Sequence, residues 1–204
     1  TAIGLNLLSN DSDADNDSLI LTSLETQNTL GTVSQNGDGT ITYTPDSDFQ
    51  SLAVGETVTD TFEYSISDGN GGTDTANVTI TVTGVNDVPI AVDDSATTSE
   101  NGAITLNLLN NDSDVDDSDT LSISSIDTTQ TQGSVSLNTD GTVTYNPGTA
   151  FQSLVAGETA TDTFSYIVND GNGASDTAVV TVTVTGIDEP DIPVSFSDAT
   201  NFAV

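Results

Sequence analysis

An all-β fold, arranged as two tandem β-sandwiches, is predicted by three observations. The first is a repeat: Asn6-Leu7-Leu8 returns as Asn107-Leu108-Leu109, and Phe49-Gln50-Ser51-Leu52 returns as Phe151-Gln152-Ser153-Leu154. The offset is 101 residues before an acidic loop and 102 after it, so each copy has an ordinary domain size. The second is a period of two. Asn77-Val78-Thr79-Ile80-Thr81-Val82-Thr83 alternates strictly, as does Val180-Thr181-Val182-Thr183-Val184, and β-branched residues suit a half-buried pleated surface. The third is punctuation. Asn138-Thr139-Asp140-Gly141 and Asp170-Gly171-Asn172-Gly173 are hairpin turns in which Gly and Asn supply positive φ.

In the second copy the strands fall in order at about 90–98, 103–109, 120–127, 133–138, 142–146, 161–168 and 176–185, labelled A to G. Seven short strands with regular turns suggest a Greek-key sandwich of immunoglobulin type, and no helical pattern of any length appears. The expected domains are 1–85, 86–187 and a linker with tail, 188–204. Thr1-Ala2-Ile3 aligns with Gly102-Ala103-Ile104, so the first copy is expected to lack strand A. The tail Val194–Val204 is then a candidate first strand for a following or neighbouring domain.

Composition narrows the function. The chain has 204 residues, no Lys, Arg, His, Cys, Met or Trp, and a net charge of −32. Nothing can neutralise a phosphate, so nucleic acid and anionic membrane are excluded as partners, and no apolar run is long enough for membrane insertion. Catalysis is not expected: the usual bases and nucleophiles are absent, and each carboxylate cluster has a metal explanation. Disulfides and thiolate metal sites are excluded as well.

The carboxylates themselves are patterned. Asn10 to Leu19 reads N-D-S-D-A-D-N-D-S-L, with Asp11, Asp13, Asp15 and Asp17 on alternate positions. Asn111 to Leu121 repeats it with Asp112, Asp114, Asp116, Asp117 and Asp119. Like charges this close repel by about 4 kcal/mol per pair at an effective dielectric near 20, and no basic side chain offsets them. A hard cation taking carboxylate, amide and backbone oxygens removes that cost, and the cation of this kind is Ca2+. The loops lack the Gly and Glu positions of an EF-hand. Asp68 and Asp170 are adequately explained as hairpin-turn residues.

Strand parity then places these groups. The B–C, D–E and F–G loops share the end at which the linker Gly84-Val85-Asn86-Asp87-Val88-Pro89 enters. Asn86 and Asp87 should therefore meet Asp112, Asp114, Asp116 and Asp119 at a junction. Glu100, in the A–B loop, should face a following junction with Asp188 and Glu189.

The Asn-Asp-x-Pro linker, the Asp-x-Asp loop, the D-T-F-x-Y strand, S-D-G-N-G-G and V-T-G-V-N-D-V-P-I-A-V-D-D together resemble the bacterial cadherin-like (VCBS-type) repeats of large RTX adhesins. The resemblance implies cadherin-like sandwiches in a secreted bacterial surface protein whose tandem domains are stiffened by calcium. Ile187-Asp188-Glu189-Pro190 departs from the pattern by losing the Asn.

The reading is thus of structural extender repeats in an adhesin or filament. They would contact neighbouring repeats or copies of themselves, while polysaccharide or another surface ligand would be reached through other domains. The alternative is a filament subunit that donates Val194–Val204 to a neighbour's incomplete first domain. A carbohydrate-binding module is favoured least, given few aromatics and no Trp.

Overall fold

The computed structural model describes residues 1–188. Thirteen strands occur among them, with no α-helix: β1 (Ile3–Leu5), β2 (Ile20–Glu25), β3 (Thr32–Gln35), β4 (Ile41–Thr44), β5 (Thr57–Ser67), β6 (Thr73–Thr83), β7 (Asp94–Ser99), β8 (Ile104–Leu106), β9 (Ser122–Asp127), β10 (Ser134–Leu137), β11 (Val143–Asn146), β12 (Thr159–Asn169) and β13 (Ser175–Thr185). The chain forms two compact units. The first comprises Thr1–Ile90, Ser113–Leu121 and Asn169–Asp176; the second comprises, among the described residues, Ala91–Asp112, Ser122–Val168 and 177–188.

In the first unit a three-stranded sheet β1-β4-β3 accompanies a three-stranded sheet β2-β5-β6. Leu7, Ile41, Tyr43, Phe62, Tyr64 and Ile80 form its core. The period-two pattern has the expected effect here: Asp60, Phe62 and Tyr64 of β5 point inward, alternating with more exposed Thr61 and Glu63. In the second unit the sheets are β10-β11-β8 and β7-β13-β12-β9.

The extra strand, β7, runs parallel to β13 from Val180↔Asp94 to Thr185↔Ser99. Its effect is visible along the neighbouring row. Ala178, Val180, Val182 and Val184 are fully buried, whereas the corresponding Ala76, Val78 and Val82 of β6 are only partly buried. Among the described residues no strand pairs with β6 as β7 pairs with β13, and the β6 row is correspondingly more open.

Two details differ from the sequence expectation. Strand B was expected to reach residue 109, but β8 stops at Leu106 and Leu108–Asn110 form a 3-10 turn, as Leu7–Asn10 do in the first copy. That turn buries Leu108 while aiming the next residues into the acidic loop. Strand A begins at Asp94 rather than residue 90, because Ile90 instead makes an isolated bridge to Ser113. The candidate donor strand Val194–Val204 lies outside the described residues.

Candidate metal centre

The second acidic loop is held by its own backbone first. Asp114 Oδ1 accepts the Asp116 N–H at 2.9 Å, and the first loop uses the same device, Asp13 Oδ1 accepting from Asp15 and Asp17 N–H. In each loop one carboxylate, Asp13 or Asp114, thus reaches forward to the backbone N–H two residues on and curls the loop.

The linker then closes the second loop. The Asp87 N–H donates to Asp116 Oδ2 at 2.9 Å, and Ile90 exchanges backbone bonds with Ser113 at 2.7 and 3.0 Å. Asp116 is consequently only 2% exposed, and Pro89 is fully buried. In the first loop no described residue plays the part of Asp87, and the corresponding Asp15 is exposed.

The F–G turn supplies the third wall. Asp170 Oδ1 caps the turn by accepting from Asn172, Gly173 and Ala174 N–H, with Gly173 at φ 113°, where a Cβ would be strained. Its other oxygen accepts the Asn86 side-chain N–H at 2.7 Å. Burial pushes the Asp170 carboxyl up, but the Asn86 side chain and the three backbone N–H groups outweigh it and hold the group below the usual carboxylate range. Asn172 donates to Asp119 Oδ1 at 2.7 Å.

The result is a set of half-satisfied carboxylates. Asp114, Asp116 and Asp119 each present one carboxylate oxygen, and these lie within 4.8 Å of one another. Each residue spends one oxygen on the protein and leaves the other buried without a hydrogen-bond partner, namely Asp114 Oδ2, Asp116 Oδ1 and Asp119 Oδ2. Asn86 Oδ1 is in the same condition, because the amide nitrogen is committed to Asp170 and to the Asp87 carbonyl. Four buried, unpartnered oxygens, three of them on carboxylates, fit a hard divalent cation. Among the described residues no other group of three such carboxylates forms.

The remaining expected ligands fall elsewhere. Asp112 lies beside Tyr166 and accepts its hydroxyl at 3.0 Å and the Val92 N–H at 2.7 Å; Asp11 accepts the Tyr64 hydroxyl in the same manner. Asp17 accepts from Asn70 at 2.7 Å, matching Asp119 and Asn172. Asp13, Asp15 and Asp17 show the same loop scheme without a closely gathered trio. Glu100 is 1% exposed, with Oε1 accepting the Ile187 N–H at 2.8 Å and Oε2 unpartnered. Asp188 is exposed, and Glu189 lies outside the described residues. The Asp-Gly-Asn-Gly motif marks Asp170 as a turn residue; its two-sided use, capping that turn and orienting Asn86, has no sequence signature beyond its place at the same end of the domain.

The architecture and this centre define a cadherin-like β-sandwich protein. The chain belongs to the bacterial cadherin-like domain family, whose model matches residues 1–84 and 86–186. It is 34% identical over 216 residues to the calcium-binding lectin RapA2 of Rhizobium johnstonii, covering 90% of this chain and 89% of that protein. Among solved structures, Drosophila N-cadherin EC1-4 superposes with a TM-score of 0.52 at 16% identity. That match covers 88% of this chain and 44% of the N-cadherin chain, so it speaks to the fold alone.

Proposed function

We propose that the chain is a calcium-binding adhesion module of an extracellular bacterial surface protein, built from the domains 1–85 and 86–187. The observation that carries this reading is the set of buried, unpartnered oxygens of Asn86, Asp114, Asp116 and Asp119. Calcium held by these four would neutralise the carboxylates and tie the linker to the 113–121 loop, making the linker a strut. Asp170 and Asn172 act as positioning residues for Asn86 and Asp119. Binding only to the folded state stabilises by mass action, about 2.7 kcal/mol per site at a hundredfold excess over Kd.

The relative RapA2 is a calcium-binding lectin, and this favours a second reading compatible with the first: the module itself engages extracellular polysaccharide. Expectation from composition ranked carbohydrate binding last because Trp is absent; hydrogen-bonding side chains, however, can recognise sugar hydroxyls without aromatic stacking.

The test is calorimetric calcium titration of the full chain beside Asp116→Asn, with thermal melts in calcium and in chelator. The expected results are a melting temperature that falls on chelation and an affinity weakened roughly tenfold or more in D116N. Identical melts with and without chelator, and no heat of binding, would overturn the calcium reading.

A further inference from the structure

Four Asn-Gly pairs occur in the chain: Asn36-Gly37, Asn70-Gly71, Asn101-Gly102 and Asn172-Gly173. An Asn followed by Gly can lose its side-chain amide without an enzyme, because no glycine side chain hinders the backbone nitrogen from reaching the Asn side-chain carbon. The fold treats the four glycine nitrogens differently. The Gly173 N–H donates to Asp170 Oδ1 at 2.9 Å, and the Gly102 N–H to the Ser99 carbonyl at 2.9 Å. The Gly71 N–H is taken by the Asp68 carboxylate. The Gly37 N–H has no partner among the described residues, and Asn36 and Gly37 are both exposed to water.

Asn36 sits in the β3–β4 turn, where its Nδ2 donates to the hydroxyls of Thr40 at 2.9 Å and Thr42 at 3.0 Å. Its Oδ1 lies 3.3 Å from the Thr42 hydroxyl, a donor beside the oxygen on which negative charge gathers during attack. The second copy repeats these ties at Asn138, with Thr142 and Thr144. Its next residue, however, is Thr139, whose branched side chain crowds the approach of its own nitrogen. The two copies share a turn and differ in the residue that governs this chemistry.

We propose that Asn36 is a site of spontaneous deamidation, selected from the four Asn-Gly pairs by the free N–H of Gly37. Solvent base removes the Gly37 N–H proton, the nitrogen bonds to Asn36 Cγ, the Cγ–Nδ2 bond breaks and ammonia leaves. Water then opens the cyclic imide at either carbonyl, giving aspartate or isoaspartate at position 36. The product cannot donate to Thr40 and Thr42, and it adds a negative charge close to Asp38. The reaction therefore loosens the β3–β4 turn of the first copy and spares the second. Asn172, which orients Asp119, is protected by the same Asp170 that caps its turn, and the three protected pairs react only after local opening.

The experiment holds the full chain in calcium at mildly alkaline pH, folded or in urea, and follows amide-to-acid conversion by mass spectrometry after cleavage at glutamate. That cleavage puts each Asn-Gly pair in its own peptide. In the folded chain Asn36 should convert about tenfold or more faster than Asn70, Asn101 and Asn172, the factor expected where one hydrogen bond must open first. In urea the four rates should converge. Gly37→Thr copies the second turn; Gly37 has no left-handed φ and a Cβ there meets nothing within 4 Å. This variant should keep its melting temperature and lose the fast conversion at Asn36. Equal rates at all four pairs in the folded chain would overturn the proposal. So would conversion led by another pair, or a folded Asn36 that stays intact while the urea sample converts.

Discussion

Replacing Tyr43 by Phe removes one hydroxyl from the interior of the first unit and tests how this anionic chain uses its buried acid. Tyr43 is fully buried, and its hydroxyl donates to Asp60 Oδ2 at 2.7 Å. Asp60, 3% exposed, also accepts the N–H groups of Leu30 (3.0 Å), Gly31 (2.8 Å) and Thr61 (2.9 Å). A hydrogen bond to a charged group contributes about 1.5–3 kcal/mol, so Y43F should lose about 2 kcal/mol, a roughly thirtyfold shift in the unfolding constant. The loss should depend on pH in a defined direction. Burial pushes the Asp60 carboxyl up, but the Gly31 and Leu30 N–H groups, the Tyr43 hydroxyl and the Thr61 N–H outweigh it and hold it below its ordinary value. A depressed folded value means the contribution is present above the unfolded pKa and is lost as pH falls through the folded one. Urea denaturation followed by circular dichroism, wild type against Y43F, should therefore show the full difference at pH 7 and a smaller one at about pH 2. A difference below about 0.5 kcal/mol at pH 7 would refute the reasoning, because a buried charge-assisted bond cannot contribute so little. A difference that ignores pH would refute it too.

Two further substitutions test the packing and the acid. Gly84→Ala would drive a Cβ into the carbonyl oxygens of Leu52 and Ala53; both are backbone, so a destabilisation of about 3 kcal/mol or more is expected in the same urea assay. Asp94 is pushed up chiefly by burial, with repulsion from Asp112 adding and the Tyr166 hydroxyl opposing. A raised folded value favours the native state below the unfolded pKa, and that advantage is lost as pH rises through the folded one. Asp94→Asn should accordingly raise the melting temperature at pH 7 in chelator and make little difference near pH 3.

The sandwich was legible in the sequence because its determinants are local. Alternation in Asn77–Thr83 fixes which face of β6 is inward, and the repeat offset shows which strands of the two copies correspond. The acidic loops were legible as a class for the same reason: Asp on alternate positions is a short-range pattern. What distinguishes Asp116 from Asp15 is not local. Both occupy the same step of the same motif, yet one is 2% exposed and the other open to solvent, because a linker N–H some thirty residues away in sequence closes over only the second. Likewise Asp112 and Asp114 look interchangeable in the string, but the side chain of Asp112 is taken by Tyr166, a partner identified only by packing. The edge of strand A was misplaced because Ile90 satisfies the apolar pattern equally well as a lone bridge beside the loop.

A chain without any basic side chain must neutralise its buried carboxylates by other means, and the oxygens show which means each one uses. Asp60 has both oxygens saturated by N–H and O–H donors and needs no cation. Asp114, Asp116 and Asp119 have one oxygen saturated and one not. Glu100 belongs with the second kind: Oε1 holds the Ile187 N–H, and Oε2 is buried and unpartnered. Glu100→Gln separates the two explanations for that oxygen. The amide keeps an acceptor for Ile187 but puts an N–H2 where the free carboxylate oxygen was. If Oε2 faces a cation, E100Q should remove one binding event from the calcium titration and lower the melting temperature in calcium while leaving it unchanged or higher in chelator. If no cation binds there, the substitution relieves an uncompensated buried charge and should stabilise equally in calcium and in chelator. Equal stabilisation would confine the calcium centre to Asn86, Asp114, Asp116 and Asp119.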